Sequence, residues 1–131
     1  MIFGVGTDLV AIARLTALHQ RHGARAARRI LAASEYAELT QRLATGFDDA
    51  GRFLAKRFAA KEAFAKAMGT GVRAPILLAS IAVEHDSLGK PSLAFSGDAE
   101  VLMRERRLRT HLSLSDEADF VVAFVIVEQT T

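Results

Sequence analysis

The chain contains no cysteine, which excludes a disulfide framework, a thiolate metal site and a cysteine nucleophile. It has no apolar run near the roughly 20 residues that span a bilayer. Its opening, Met1-Ile2-Phe3-Gly4-Val5-Gly6-Thr7-Asp8, lacks a basic leader followed by a long apolar stretch. The expectation is a soluble, cytoplasmic protein. There is no Gly-x-Ser-x-Gly elbow and no Gly-Lys-Ser phosphate loop, so hydrolase and nucleotide triphosphatase chemistry has little support. His19, His22, His85 and His111 show no metal-ligand spacing. No internal repeat or low-complexity tract interrupts the 131 residues. That length suits one domain, residues 1–131, and is short for two.

What is present is an ordinary globular composition, 50% hydrophobic and 24% charged, with charge unevenly distributed. Residues 2–8 read as a buried strand ending at Asp8, where a helix from Leu9 to about His22 begins. Gly23 interrupts that helix, and a shorter helical piece follows from Arg25 to Leu31. Ser34 reads as the cap of the next helix, with Glu35 and Glu38 in its first turn. The strongest helix runs from Asp49 to Met68, capped by Asp49 and stopped by Gly69-Thr70-Gly71. Residues 80–84 alternate as a strand, Asp86 to Pro91 is turn chemistry, and 92–95 is a returning strand. A helix over 98–107 precedes two strands, 110–115 and 120–127, joined by an acidic hairpin. Grouped runs of like elements predict an α+β fold, an antiparallel sheet packed on the long central helix.

The densest chemistry lies in that helix. Glu62 is one carboxylate among Arg52, Lys56, Arg57, Lys61 and Lys66. A lone acid surrounded by cations suits a metal ion shared with a polyphosphate. Phe58, Glu62 and Lys66 fall on one helical line, flanked by Arg57 and Lys61, although a Glu-to-Lys pair four apart is also an ordinary surface ion pair. Asp8 suits a helix cap or a metal site equally. Gly69 to Gly71 serve as a C-cap or as backbone contacts to phosphate. A second feature is the acid-free stretch carrying Arg14, Arg21, Arg25, Arg28 and Arg29. At about 100° per residue, Arg14, Arg21, Arg25 and Arg28 share a face about 60° wide if the helix continues through Gly23, with Leu18 among them. The asymmetry predicts an acidic partner or ligand for this segment. Interleaved aromatics for stacking bases are absent, which favours a compact acidic protein over nucleic acid. A non-catalytic module binding an acidic protein or nucleic acid through this face is the competing reading.

Four motifs in order resemble the holo-acyl-carrier-protein synthases, the small bacterial phosphopantetheinyl transferases. They are Gly6-Thr7-Asp8-Leu9-Val10 with Ile12 and Arg14, Phe58 to Ala63 with Lys66 to Gly71, Gly89-Lys90-Pro91, and Ser113-Leu114-Ser115-Asp116-Glu117. The resemblance implies transfer of 4′-phosphopantetheine from coenzyme A to a serine of apo-acyl carrier protein, in support of fatty acid biosynthesis. It also implies a homotrimer with coenzyme A between subunits. By motif, Asp8 and Glu62 resemble Mg2+ ligands, and Lys66 a phosphate-binding lysine of the same catalytic set. Arg57, Gly69, Gly89, Lys90, Pro91, Ser113 and Ser115 resemble elements around coenzyme A. Arg14, Leu18, Arg21, Arg25 and Arg28 resemble the face that docks the carrier. No nucleic acid or membrane partner is implied. The base that takes the serine proton is Glu62 or a metal-bound water. Many relatives carry His where this chain has Asp116, and a cationic contact to the nucleotide 3′-phosphate is not transferred to that position.

Overall fold

The computed structural model describes all residues, 1–131. In chain order the elements are β1 (Ile2–Ala11), α1 (Ile12–His22), α2 (Ala24–Ile30), α3 (Ala33–Ala44), α4 (Ala50–Met68), β2 (Ile81–His85), β3 (Pro91–Phe95), α5 (Gly97–Glu105), β4 (Leu108–Asp116) and β5 (Phe120–Gln129). The strands form two antiparallel sheets, β1-β5-β4 and β2-β3, instead of one continuous sheet.

Helix α4 is the centre of the molecule. Leu54, Ala55, Ala59, Ala60, Ala63, Phe64 and Ala65 are fully buried, because small Ala side chains let neighbouring elements approach from nearly every side. Asp49 caps its start, accepting from Arg52 N–H at 3.3 Å, and Gly69 ends it at φ 79°. On β5, Val121, Ala123, Val125 and Val127 turn inward to this core, while Phe120, Val122 and Phe124 turn outward.

Strand β1 is laid directly on α4. A Cβ at Gly4 or Gly6 would run into the carbonyls of Ala67 and Ala63, so glycine here permits a backbone-to-backbone approach that no side chain would allow. That contact brings the Asp8 end of β1 over the last turns of α4.

Several boundaries differ from the sequence expectation. β1 continues to Ala11, paired with Phe120, so Asp8 sits within the strand and α1 starts at Ile12 instead of Leu9. Leu9 fits a helical stripe, yet it is exposed on the outer sheet face opposite Val122: strand pairing outweighs local periodicity. α3 starts at Ala33, one residue before Ser34, because the Glu35 carboxylate accepts the Ala32 N–H at 2.9 Å and does the capping. Gly23, at φ 54° and ψ −131°, does break the first helix. The arginine stripe therefore bends between α1 and α2.

Candidate active site

Asp8 on β1 and Glu62 and Lys66 on α4 come together where strand and helix touch. Lys66 Nζ donates to Asp8 Oδ1 and to the Thr7 carbonyl, each at 3.0 Å. The other oxygen, Asp8 Oδ2, is buried and has no hydrogen-bond partner. A buried carboxylate oxygen without a donor is costly. Glu62, half-buried one turn before Lys66, has its carboxyl pushed above the usual range first by burial and then by Asp8, with Lys66 and Arg14 opposing. The Asp8 charge thus adds to the cost of ionising Glu62, and one Asp8 oxygen has no donor. A divalent cation relieves both terms.

No group of three or more His, Cys, Asp or Glu side chains gathers anywhere in the chain. A cation held here therefore has at most two protein carboxylates, which suits a hard ion completing its shell with water and phosphate oxygens.

The remaining cations of α4 serve different ends. Lys61, grouped with the phosphate-facing cations from sequence, is fully buried, donating at 2.6 Å both to Glu35 Oε1 and to the Ile30 carbonyl. It reaches no ligand. Arg57 also lies away from Glu62, five positions along the helix and so on another face. Its guanidinium stacks on Phe53 at 3.6 Å and sits 3.8 Å from both Glu35 and Glu38, and its buried Nε, the atom nearest Glu35, has no hydrogen-bond partner. It forms the floor of a polar cavity of about 560 Å³ that also includes Arg42, Lys56, Glu84 and His85. Burial, then Arg57 and Lys56, push the His85 imidazole below its ordinary value.

Gly89, Lys90 and Pro91 close the β2-β3 hairpin, whose Asp86 carboxylate accepts the Leu88 and Lys90 N–H groups at 2.9 Å. Ser113 and Ser115 face outward on β4 beside Phe124 and Val122 of β5. Within one chain they lie on the opposite sheet face from Asp8. Gly69 is the C-cap of α4.

Arg14, Leu18 and Arg21 lie on α1, and Arg25 and Arg28 on α2, with Arg14 over the Phe58 ring at 5.3 Å and Arg28 over Tyr36 at 5.0 Å. Between the two helices opens a cavity of about 270 Å³ lined by Leu18, His22, Arg25, Ala26, Ile30 and Phe58, among others. Phe58 precedes Glu62 by one turn, so this basic-rimmed groove leads toward the two carboxylates.

Sequence reasoning missed Arg52 as an organiser. It donates to Asp49 Oδ2 at 3.0 Å, Asp116 Oδ2 at 2.6 Å, the Glu117 carbonyl at 2.8 Å and the Ala118 carbonyl at 3.2 Å. Lys56 lies 3.6 Å from Asp116. Asp116 thus fixes two cations at the head of α4. The Asp49-x-x-Arg52 spacing hints at the local pair, while its reach across the fold to the β4-β5 hairpin has no signature in the sequence.

With this geometry, the chain belongs to the 4′-phosphopantetheinyl transferase superfamily, whose profile matches residues 4–125. It is 52% identical over 128 residues to a holo-[acyl-carrier-protein] synthase of Dechloromonas aromatica, covering 98% of each chain. The crystal structure of holo-[acyl-carrier-protein] synthase from Neisseria meningitidis superposes with a TM-score of 0.90 at 42% identity, covering 98% of this chain and 100% of the other. A holo-(acyl-carrier-protein) synthase from Bacillus anthracis in complex with CoA (3′,5′-ADP) gives 0.77 at 32%, covering 99% of each. These likenesses do not favour the binding-only reading of the arginine face. No helix is long and apolar enough to cross a membrane.

Proposed function

We propose that this protein transfers the 4′-phosphopantetheine arm of coenzyme A to a serine of apo-acyl carrier protein, releasing adenosine 3′,5′-bisphosphate, in the cytoplasm and with Mg2+ held by Asp8 and Glu62. The observation that carries the reading is the unpartnered, buried Asp8 Oδ2 beside Lys66 and the raised Glu62 carboxyl. The serine oxygen forms a bond to the β-phosphorus of coenzyme A, and the bond from that phosphorus to the bridging oxygen breaks. Negative charge then gathers on the departing bisphosphate. When bound, magnesium supplies positive charge against the diphosphate oxygens. Lys66, more than half exposed and anchored on Asp8 and the Thr7 carbonyl, presents its ammonium to the same oxygens. With one oxygen of Glu62 on the ion, its other oxygen would be the group of this chain to accept the serine proton.

Arg14, Leu18, Arg21, Arg25 and Arg28 bind the acidic helix of the carrier, with an apolar side chain of that helix in the groove ending at Phe58. Arg57, Lys90, Ser113 and Ser115 contact the nucleotide end of coenzyme A. Since Arg57 and the serines face away from Asp8 in one chain, a shared site between protomers reunites them. The exposed outer face of the β1-β5-β4 sheet, with Val5, Leu9, Phe120, Val122 and Phe124, supports a homotrimer joined through this surface. Incubating the protein with coenzyme A, Mg2+ and apo-acyl carrier protein tests the activity. Intact mass should show a phosphopantetheine adduct on the carrier, and an unmodified carrier at high enzyme concentration contradicts the proposal.

A further inference from the structure

Lys61 is fully buried, and its ammonium makes two hydrogen bonds of 2.6 Å, to the Glu35 carboxylate and to the carbonyl of Ile30. Ile30 is the last residue of α2, so Lys61 satisfies a carbonyl that the helix itself leaves open. Glu35 is equally committed: Oε1 accepts the Ala32 N–H at 2.9 Å, and Oε2 accepts the Val83 N–H at 2.8 Å. One buried pair therefore joins α4 to the end of α2, the start of α3 and strand β2.

Stability alone does not account for it. A buried ion pair is often no more stabilising than apolar side chains of the same size, because both charges lose their water. What a saturated pair does provide is a fixed geometry between the elements it joins. Helix α2 depends on such a device. It has 7 residues, too few to hold together alone, lacks a side-chain cap, and buries only Ala26, Ala27 and Ile30. It also supplies Arg25, Ala26, Arg29 and Ile30 to the basic-rimmed groove. Lys61 stands directly before Glu62 in the chain but points to α2, so the residue next to the reacting carboxylate fixes the docking segment.

We infer that Lys61, held by Glu35, is a positioning residue for carrier engagement: it sets α2 and its arginines in register with the reacting centre on α4. This rests on the proposed transferase reading and its docking face. The variant to make is Lys61→Met with Glu35→Gln, which removes both members of the pair together, leaves Glu38 as the carboxylate facing Arg57, and leaves the glutamine's amide oxygen able to accept the Val83 N–H. Amide hydrogen exchange over 24–30 should accelerate while that of α4 stays slow. In steady-state kinetics the KM for the carrier should rise about 10- to 100-fold, and by more than the KM for coenzyme A, with kcat within about threefold. A purely structural role would lower kcat with the folded fraction and leave both KM values alone. Lys61→Arg, which keeps the charge and a donor toward Ile30, should recover part of the carrier KM. Arg25→Glu tests the docking face separately. If Arg25→Glu raises the carrier KM and the double variant does not, the positioning role is overturned. If neither does, the docking reading falls and the inference with it. A wild-type enzyme that forms no adduct removes the transferase reading itself.

Discussion

Asp8 Oδ2 is buried with no donor, while its sister oxygen is bound by Lys66. That asymmetry within one carboxylate is the sharpest residue-scale sign of function, and it has no trace in the sequence. Asp8, Glu62 and Lys66 are legible as candidates from residue type and motif, but Lys66 and Lys61 look alike in a row of cations. They part company only because Glu35, distant in sequence, draws Lys61 into the core. The orientation of Arg57 is hidden for the same reason: α4 is buried on nearly all sides, so its own periodicity cannot say which cation meets ligand. Lys66→Ala separates function from stability. The Lys66 to Asp8 pair is exposed on the lysine side, so unfolding free energy should change by less than about 1 kcal/mol. Turnover should fall about 100-fold, as for loss of a charge-stabilising donor. Thermal denaturation alongside adduct kinetics checks both, and a large drop in melting temperature would reassign Lys66 to the fold.

At the scale of elements, the packing of β1 on α4 decides whether the site exists. Gly6→Ala forces a methyl group into the Ala63 carbonyl, and no flexible side chain can yield. Destabilisation of about 1–3 kcal/mol is expected in urea unfolding, together with reduced activity from displacement of Asp8. The order and type of elements are readable because hydrophobic periods, caps and glycine stops agree along most of the chain. The junction of β1 and α1 is not. Leu9 satisfies both periods, and only pairing with Val122 decides it. The β2-β3 hairpin is recognisable from its turn residues, and Asp86 explains the turn physically. Hydrogen bonds from the Lys90 and Leu88 amides hold its carboxyl below the usual 3.8. That support is present above the ordinary value and is lost as pH falls through the depressed one. Protection of the Leu88 and Lys90 amides, relative to an unstructured peptide at the same pH, should therefore fall as Asp86 is protonated below the usual carboxylate range, and acid-insensitive protection would argue against the Asp86 turn as the cause.

For the whole molecule, the proposed site residues do not all converge within one chain. Asp8, Glu62 and Lys66 meet between β1 and α4, Arg57 lies on another face of α4 beside α3 and β2, and Ser113 and Ser115 lie on the outward sheet face beside the exposed Val122 and Phe124. If protomers share coenzyme A, mixing Glu62→Gln with Arg57→Ala subunits should restore part of the activity that each variant lacks, since some interfaces then carry both intact halves. Absence of recovery in verified mixed oligomers would place the complete site within one chain. Beneath this assembly lies the claim that two carboxylates from β1 and α4 hold the cation that transfer requires. It is tested most directly by following adduct formation against Mg2+ concentration for the wild type, Asp8→Asn and Glu62→Gln. The account predicts a saturable metal requirement in the wild type and a loss of at least about 100-fold in each folded variant. Metal-independent transfer, or either variant matching the wild type, would contradict it.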